Sequence, residues 1–284
     1  MGRVTKRTPS VRITLGDTGT STIHRPDTLA VEEPLEVRVG NAALTVTMRT
    51  PGDDFDLALG WLVTEGMIED ASHVAQLMHC LDEDESGSPT YNVVDVTLAP
   101  GTRLDTSRAE RATYTSSACG VCGKTSIDSI RAKSRYAVSA DPVRLSPRAL
   151  LELPAALRSR QEVFDRTGGL HAAGLFTSSG EALVVREDVG RHNAVDKVVG
   201  WAAREGRLPL TGHVLAVSGR ASFELVQKAV MAGIPALVAV SAPSSLAVEL
   251  ARASGLTLAA FARPPRMTVY AGAERVVPEE PAPG

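Results

Sequence analysis

The chain has 284 residues, enough for two modest domains rather than one small core. Apolar residues make up 43% and charged residues 22%, an ordinary globular composition. Thirty basic against thirty-three acidic side chains leave a net charge of −3, which argues against a dedicated nucleic-acid binder. Aromatic residues, at 4%, are too few for a base-stacking platform or a carbohydrate groove. No apolar run approaches the ~20 residues that cross a bilayer, and the N-terminus has no apolar signal core. The expectation is a cytoplasmic protein that binds neither membrane nor nucleic acid.

In chain order, residues 1–28 are polar and scattered with Gly, Thr and Pro, and read as a flexible arm with one strand over Val11–Leu15. Glu36–Val39 and Leu44–Met48 alternate in polarity on either side of Gly40-Asn41, a hairpin signal. Asp53 is placed to cap a helix that runs to about Glu65. Val74–Cys80 and Asn92–Leu98 read as two strands joined through the acidic stretch Asp82–Glu85 and Gly87. Residues 29–112 thus read as a small α+β unit, ββαββ, β-grasp-like in outline.

Residues 113–135 hold a Gly-flanked loop, Ser116-Ser-Ala-Cys-Gly-Val-Cys-Gly-Lys-Thr125, and a short helix with a Thr125/Asp128 capping pair. Residues 136–275 begin with a helix over Leu150–Phe164, broken by Pro154 near its start. A hairpin follows (Leu170–Thr177, Glu181–Arg186), then a helix from about His192 to Arg204. Three apolar strands come next, Val214–Ser218, Ala236–Ser241 and Leu256–Phe261, separated by helices that start at Ser222 and Ser244 and stop at Gly233 and Gly255. This βαβαβ run demands a parallel sheet with helices on its faces. Residues 276–284 are Pro/Glu-rich and read as a disordered tail.

Three features carry chemistry. The first is the cysteine usage: Cys80, Cys119 and Cys122 are too few for a disulfide framework, and two of them form Cys-x-x-Cys. A mobile loop, an adjacent Lys124 and a following helix N-terminus favour the thiolate. A zinc half-site and a thioredoxin-like dithiol are the alternatives. The first has only Cys80 as a further cysteine and would need histidines to complete its set, and the second lacks its fold, so a persulfide-carrying cysteine fits best. The second feature is Arg186-Glu-Asp-Val-Gly-Arg-His-Asn-Ala-Val-Asp-Lys197. Here Asp188 can cap the next turn, His192 and Asp196 share one helical line, and Asn193 and Lys197 share its neighbour. It reads either as a capped, salt-bridged surface helix or as a ligand site that His171 also reaches.

The third feature is topological. Parallel strands end on one edge of a sheet, and ligands of open α/β sheets bind at that edge. The ends here are Ser218-Gly-Arg-Ala-Ser222, Ser241-Ala-Pro-Ser-Ser245 and Phe261-Ala-Arg-Pro-Pro-Arg266. With helix N-termini behind them and Arg220, Arg263 and Arg266 beside them, they suit an anionic, phosphate-bearing ligand. No Rossmann fingerprint or Walker loop is present.

Together these segments resemble the formate dehydrogenase accessory sulfurtransferase family, FdhD. The matching stretches run from AVEEPLEVRV and TMRTPGDDFDLALGWLVTEGMI through SSACGVCGK, TGGLHAAGLF and REDVGRHNAVDKVVG to SGRASFELVQKAVMAGIPALVAVSAPSSLAVELA and FARPPRMTVY. The resemblance implies a cytidine-deaminase-like αβα fold for the larger domain. It also implies sulfur received from a cysteine desulfurase as a persulfide on Cys119; Cys122, the motif's second cysteine, is the candidate to assist its release by a transient disulfide. That sulfur would pass to the molybdenum of bis-molybdopterin guanine dinucleotide before the cofactor enters apo formate dehydrogenase. The family's cofactor-binding segment maps onto Phe261, Ala262, Arg263, Pro264, Pro265 and Arg266. With Ser218, Arg220, Ser222, Ser241, His192 and Lys197 these form the expected binding site, for which GDP is a partial mimic. A twofold homodimer matches the two halves of such a cofactor. No zinc is expected: no histidine begins the His-x-Glu of zinc nucleoside deaminases, and Ala118 stands where their Pro precedes the first cysteine. A cofactor chaperone that carries no sulfur is the remaining alternative.

Overall fold

In the computed structural model of the chain, residues 3–17, 19–83, 89–104 and 134–277 are described. The first element corrects the sequence reading. In place of a flexible arm there is a long antiparallel ribbon, β1 (Thr5–Gly16) and β2 (Gly19–Ala30), in continuous register from Thr5↔Ala30 to Gly16↔Gly19. Neither of its faces is buried in the chain, so no apolar alternation marked β2 as a strand.

The next unit follows its expected outline. β3 (Glu33–Val39) and β4 (Ala42–Arg49) turn through Gly40 and Asn41, both at positive φ, as a two-residue hairpin of this hand requires. α1 (Asp54–Thr64) follows, then β5 (Val74–Glu83) and β6 (Pro89–Leu98). The sheet order is β4-β3-β6-β5, with β3 parallel to β6. Asp53 does precede α1, but with φ 53° its side chain makes no cap; its carboxylate lies 3.4 Å from Arg186 Nε instead.

The larger unit is a six-stranded sheet in the order β12-β11-β10-β9-β7-β8. β7 (His171–Thr177) and β8 (Ala182–Asp188) form the hairpin, while β9 (His213–Val217), β10 (Ala236–Ala239) and β11 (Thr257–Arg263) are parallel. β12 (Arg266–Ala271) turns back antiparallel on β11, so the expected loop around Pro264-Pro265 is the tip of a hairpin. The helical stretch expected over Leu150–Phe164 is two helices, α2 (Pro147–Arg158) and α3 (Glu162–Thr167). Pro154 lies inside α2, which Leu150, Leu153 and Leu157 hold against the sheet. The break comes after Arg158, and the Glu187 carboxylate caps α3 by accepting from Val163 N (2.9 Å) and Phe164 N (2.8 Å). That cap comes from β8, which the local sequence cannot announce.

α2 covers one face of the sheet. α4 (Arg191–Arg204), α5 (Phe223–Met231) and α6 (Ser245–Ser254) lie on the other, giving an αβα sandwich. One apolar core runs from Leu35, Leu57 and Val94 of the small unit through Val198 and Leu225 into the large one. The two units meet where α1 crosses α4. A methyl group on Gly60 would overlap the Asp196 carbonyl, and one on Gly200 would overlap the Asp56 carbonyl. The two backbones therefore touch, and only glycine fits at the crossing. Among the described residues no helix is long and apolar enough to cross a membrane.

Candidate functional site

The C-terminal ends of the parallel strands come together as expected. Their loops are laced side by side: Ser241 N donates to Gly219 O (3.3 Å), Ala221 N to Ala242 O (3.2 Å) and Ser244 N to Ala221 O (3.0 Å), while Phe261 N reaches Ser241 O (3.4 Å). Ser218, Arg220, Ser222, Ser241 and Phe261 thus share one edge. Phe261 sits at φ 51° in an irregular stretch of β11 and is 48% exposed. A non-glycine residue held in the left-handed region costs about 1–3 kcal/mol, a strain that clusters at ligand sites. Arg220, Arg263, Pro264, Pro265 and Arg266 are exposed beside it, and Ala262 is buried beneath.

Two histidines line the same edge. The His171 ring lies against Gly219, where a methyl group would meet its Nδ1 at 3.4 Å. His192, at the start of α4, puts Nε2 3.3 Å from Ser222 Oγ and 3.8 Å from the Glu224 carboxylate. Burial, then the Arg191 and Lys228 charges, push the His192 pKa down to about 4, with Glu224 opposing. Burial and Arg191 also lower that of His171. Both imidazoles are therefore neutral at pH 7 and offer hydrogen bonds rather than charge. Ser218 Oγ accepts from Ala172 N (2.9 Å), which fixes the first loop to β7.

Lys197 is a correction. It was expected at the ligand, yet its side chain is 1% exposed and its three donors are spent on Asp188 Oδ2 (2.7 Å), Thr50 O (2.9 Å) and Glu187 O (3.4 Å). Asp188 caps Gly190 N (2.8 Å), as the sequence suggested, and also accepts from Thr50 N (3.1 Å) and Asn193 Nδ2 (3.0 Å). The Arg186–Lys197 stretch thus divides its labour: His192 faces the sheet edge, while Asp188, Asn193 and Lys197 bind the large unit to the β4–α1 turn. The reading of this helix as a salt-bridged surface helix is likewise corrected, because these groups are buried.

Sequence reasoning missed Lys228. It lies buried on α5, with Nζ 2.9 Å from the Asp196 carboxylate, 3.0 Å from Thr64 Oγ1 and 3.3 Å from Glu65 Oε1. Burial works against the ammonium, but Asp196 and Glu65 outweigh it and hold its pKa above the ordinary lysine value. The available signal was one lysine between Val226 and Ala229 on an otherwise apolar helix face.

A cavity of about 330 Å³ lies elsewhere, between the β4–α1 turn, α3 and β8. Three of its charged walls are engaged: Arg186 with Asp53 and Asp56, Glu187 with the start of α3, Lys197 with Asp188. The sheet edge, with exposed Arg220, Arg263 and Arg266, is the candidate site. Cys119, Cys122 and Lys124, the Thr125/Asp128 pair and the tail from Pro278 lie outside the described residues.

Comparison with known proteins gives the family and supports the fold. The FdhD/NarQ family profile matches residues 30–277. A sulfur carrier protein FdhD from Streptomyces avermitilis is 57% identical over 277 residues, covering 97% of each chain. Its counterpart from Mycobacterium tuberculosis is 55% identical over 257 residues, 89% of this chain and 93% of that one. A crystal structure from Desulfotalea psychrophila, assigned as a formate dehydrogenase accessory protein, superposes with a TM-score of 0.71 at 23% identity, covering 97% of this chain and all of that one. That structure supports the α/β fold, while the profile and the sequence relatives carry the assignment: the chain belongs to the FdhD/NarQ family.

Proposed function

We propose that this protein is a sulfurtransferase that serves formate dehydrogenase. A cysteine desulfurase loads Cys119 with a persulfide, and the sulfane sulfur passes to the molybdenum of bis-molybdopterin guanine dinucleotide held at the sheet edge. Family membership and the sulfur carrier proteins 55–57% identical to this chain support the sulfur chemistry. The observation that carries the binding site is the lacing of three strand-end loops under exposed Arg220, Arg263 and Arg266. Strand ends that lead into helix N-termini suit phosphates, and arginines add charge-assisted bonds. His171 and His192, both with pKa values lowered by burial, supply hydrogen bonds next to them. Cys122, three residues from Cys119, is suited to release the sulfur by closing a transient disulfide. A cofactor with two guanine dinucleotide ends calls for two copies of the chain, one edge for each half.

GDP, as one half of that ligand, tests the site by isothermal titration. Arg263→Ala should weaken binding by about 1.5–3 kcal/mol, the worth of a hydrogen bond to a charged group. Unchanged affinity in both Arg220→Ala and Arg263→Ala would place the nucleotide elsewhere.

A further inference from the structure

Arg191 is the first residue of α4 and is half-buried beside His192. Three features of its placement carry a cost. Its Nε is buried and, among the described residues, has no hydrogen-bond acceptor. No described carboxylate forms an ion pair with its guanidinium: Asp188 is spent on Gly190 N, Asn193 Nδ2, Thr50 N and Lys197, and Glu224 turns to His192 (3.8 Å) and the Ser222 hydroxyl. A cation in the first turn of a helix also faces the positive end of its dipole, and α4 has no acidic residue in that turn to offset it. A partly buried cation placed this way destabilises the free protein, and the cost is offset only when an anion binds.

The surroundings define the kind of anion. After burial, the Arg191 charge is the strongest influence on both His171 and His192, so its guanidinium lies near both rings. His171 packs against Gly219, and His192 Nε2 is 3.3 Å from Ser222 Oγ. Arg191 therefore belongs to the edge where the strand-end loops meet, at its β7 end. The Lys228 ammonium, which His192 also senses, is already matched by Asp196 (2.9 Å). Behind Ser222, α5 starts without a side-chain cap, as α4 does behind Gly190. A guanidinium fork among uncharged hydrogen-bonding groups and uncapped helix starts suits the several oxygens of a phosphate better than a single carboxylate.

We propose that Arg191 is the seat of the ligand's diphosphate. Its guanidinium takes the phosphate oxygens, His171, His192 and Ser222 are the hydrogen-bonding neighbours, and the exposed Arg220, Arg263 and Arg266 form an outer rim. The inference rests on the reading of the sheet edge as a nucleotide site and deepens it, because it assigns the anchoring role to an arginine outside the strand-end loops. It carries an inversion: the residue that binding needs most is one the free fold does without at no loss.

Isothermal titration of the full chain with GDP and with inorganic pyrophosphate tests this, together with thermal unfolding. Arg191→Gln keeps a helix propensity close to that of arginine. It should weaken both ligands by about tenfold or more, and by a common factor. Arg191→Lys keeps the charge but loses the fork, and should fall between the two. Without ligand, Arg191→Gln should unfold at or above the midpoint of the unmodified protein, because no ion pair is lost. Pyrophosphate should raise the midpoint of the unmodified protein and leave that of Arg191→Gln unmoved. Unchanged affinity in Arg191→Gln would overturn the inference; if Arg263→Ala weakens GDP in the same series, the sheet-edge reading stands without it. A loss confined to GDP, with pyrophosphate unaffected, would put Arg191 at the base and overturn the inference too. So would a lower midpoint of the ligand-free variant, the mark of a structural arginine. Binding of neither probe by the unmodified protein would overturn both readings.

Discussion

His192 and Lys228 show how far a side chain's role depends on what surrounds it. Both come from helix segments with ordinary sequences, yet one faces the sheet edge and the other is sealed among carboxylates. The His192 pKa of about 4, against an ordinary value of 6.5, links its protonation to stability. Between those two values the unfolded chain binds the proton and the folded chain does not. The stabilising contribution is therefore full above pH 6.5 and is lost as pH falls through about 4. Urea unfolding at neutral pH and at mildly acidic pH should show the unmodified protein losing more stability than His192→Gln; equal losses would mean that the imidazole is freely solvated. Lys228→Met should cost about 3–5 kcal/mol, because it strands the Asp196 carboxylate in the core. Adding Asp196→Leu should recover much of that loss, since two apolar groups replace both charges. A double variant no more stable than the single one would show that Thr64 and Glu65 depend on the pair.

The α1–α4 crossing is the element on which the rest is hung. Its two glycines admit backbone contact, and the Arg204–Asp56 ion pair (3.2 Å) and the hydrogen bond from Thr64 Oγ1 to Asp196 Oδ1 (2.7 Å) tie one helix to the other. Gly60→Ala or Gly200→Ala meets a carbonyl that has no rotamer to yield, so each should destabilise by about 3 kcal/mol or more. Thermal unfolding of each variant reads this directly, and an unchanged midpoint would contradict the contact. Sequence reading found both helices but not their crossing. Gly60 sits in an apolar run and looks like a propensity cost, and its reason lies far along the chain in the α4 backbone at Asp196 and Gly200. The parallel strands and the second helix's caps were legible because each carries a local signal: Ser244 does accept from Ala247 N (3.2 Å), and Gly255 does end α6 in the left-handed region, whereas Ser222 stands at the start of α5 but makes no side-chain cap. The ribbon and the cap on α3 were not legible. The first buries no face, and the second borrows its carboxylate from β8.

Over the whole molecule, one core crosses the seam between the small and large units, so the two should unfold together. Trp61 on α1 and Trp201 on α4 pack against that core, and their fluorescence reports the crossing while circular dichroism reports all the sheets. Coincident denaturation curves are expected, and separated ones would mean two independent cores. Of the candidate site, the strand-end loops were legible from topology alone, whereas Lys197 was misplaced because charge on a helix says nothing of burial. The proposed activity joins that edge to Cys119, and mass spectrometry of the protein after incubation with a cysteine desulfurase and cysteine tests it most directly. The unmodified chain should gain the mass of one sulfur atom, and Cys119→Ala should gain none. An adduct retained in Cys119→Ala, or no adduct on the unmodified chain, would contradict sulfur carriage by Cys119.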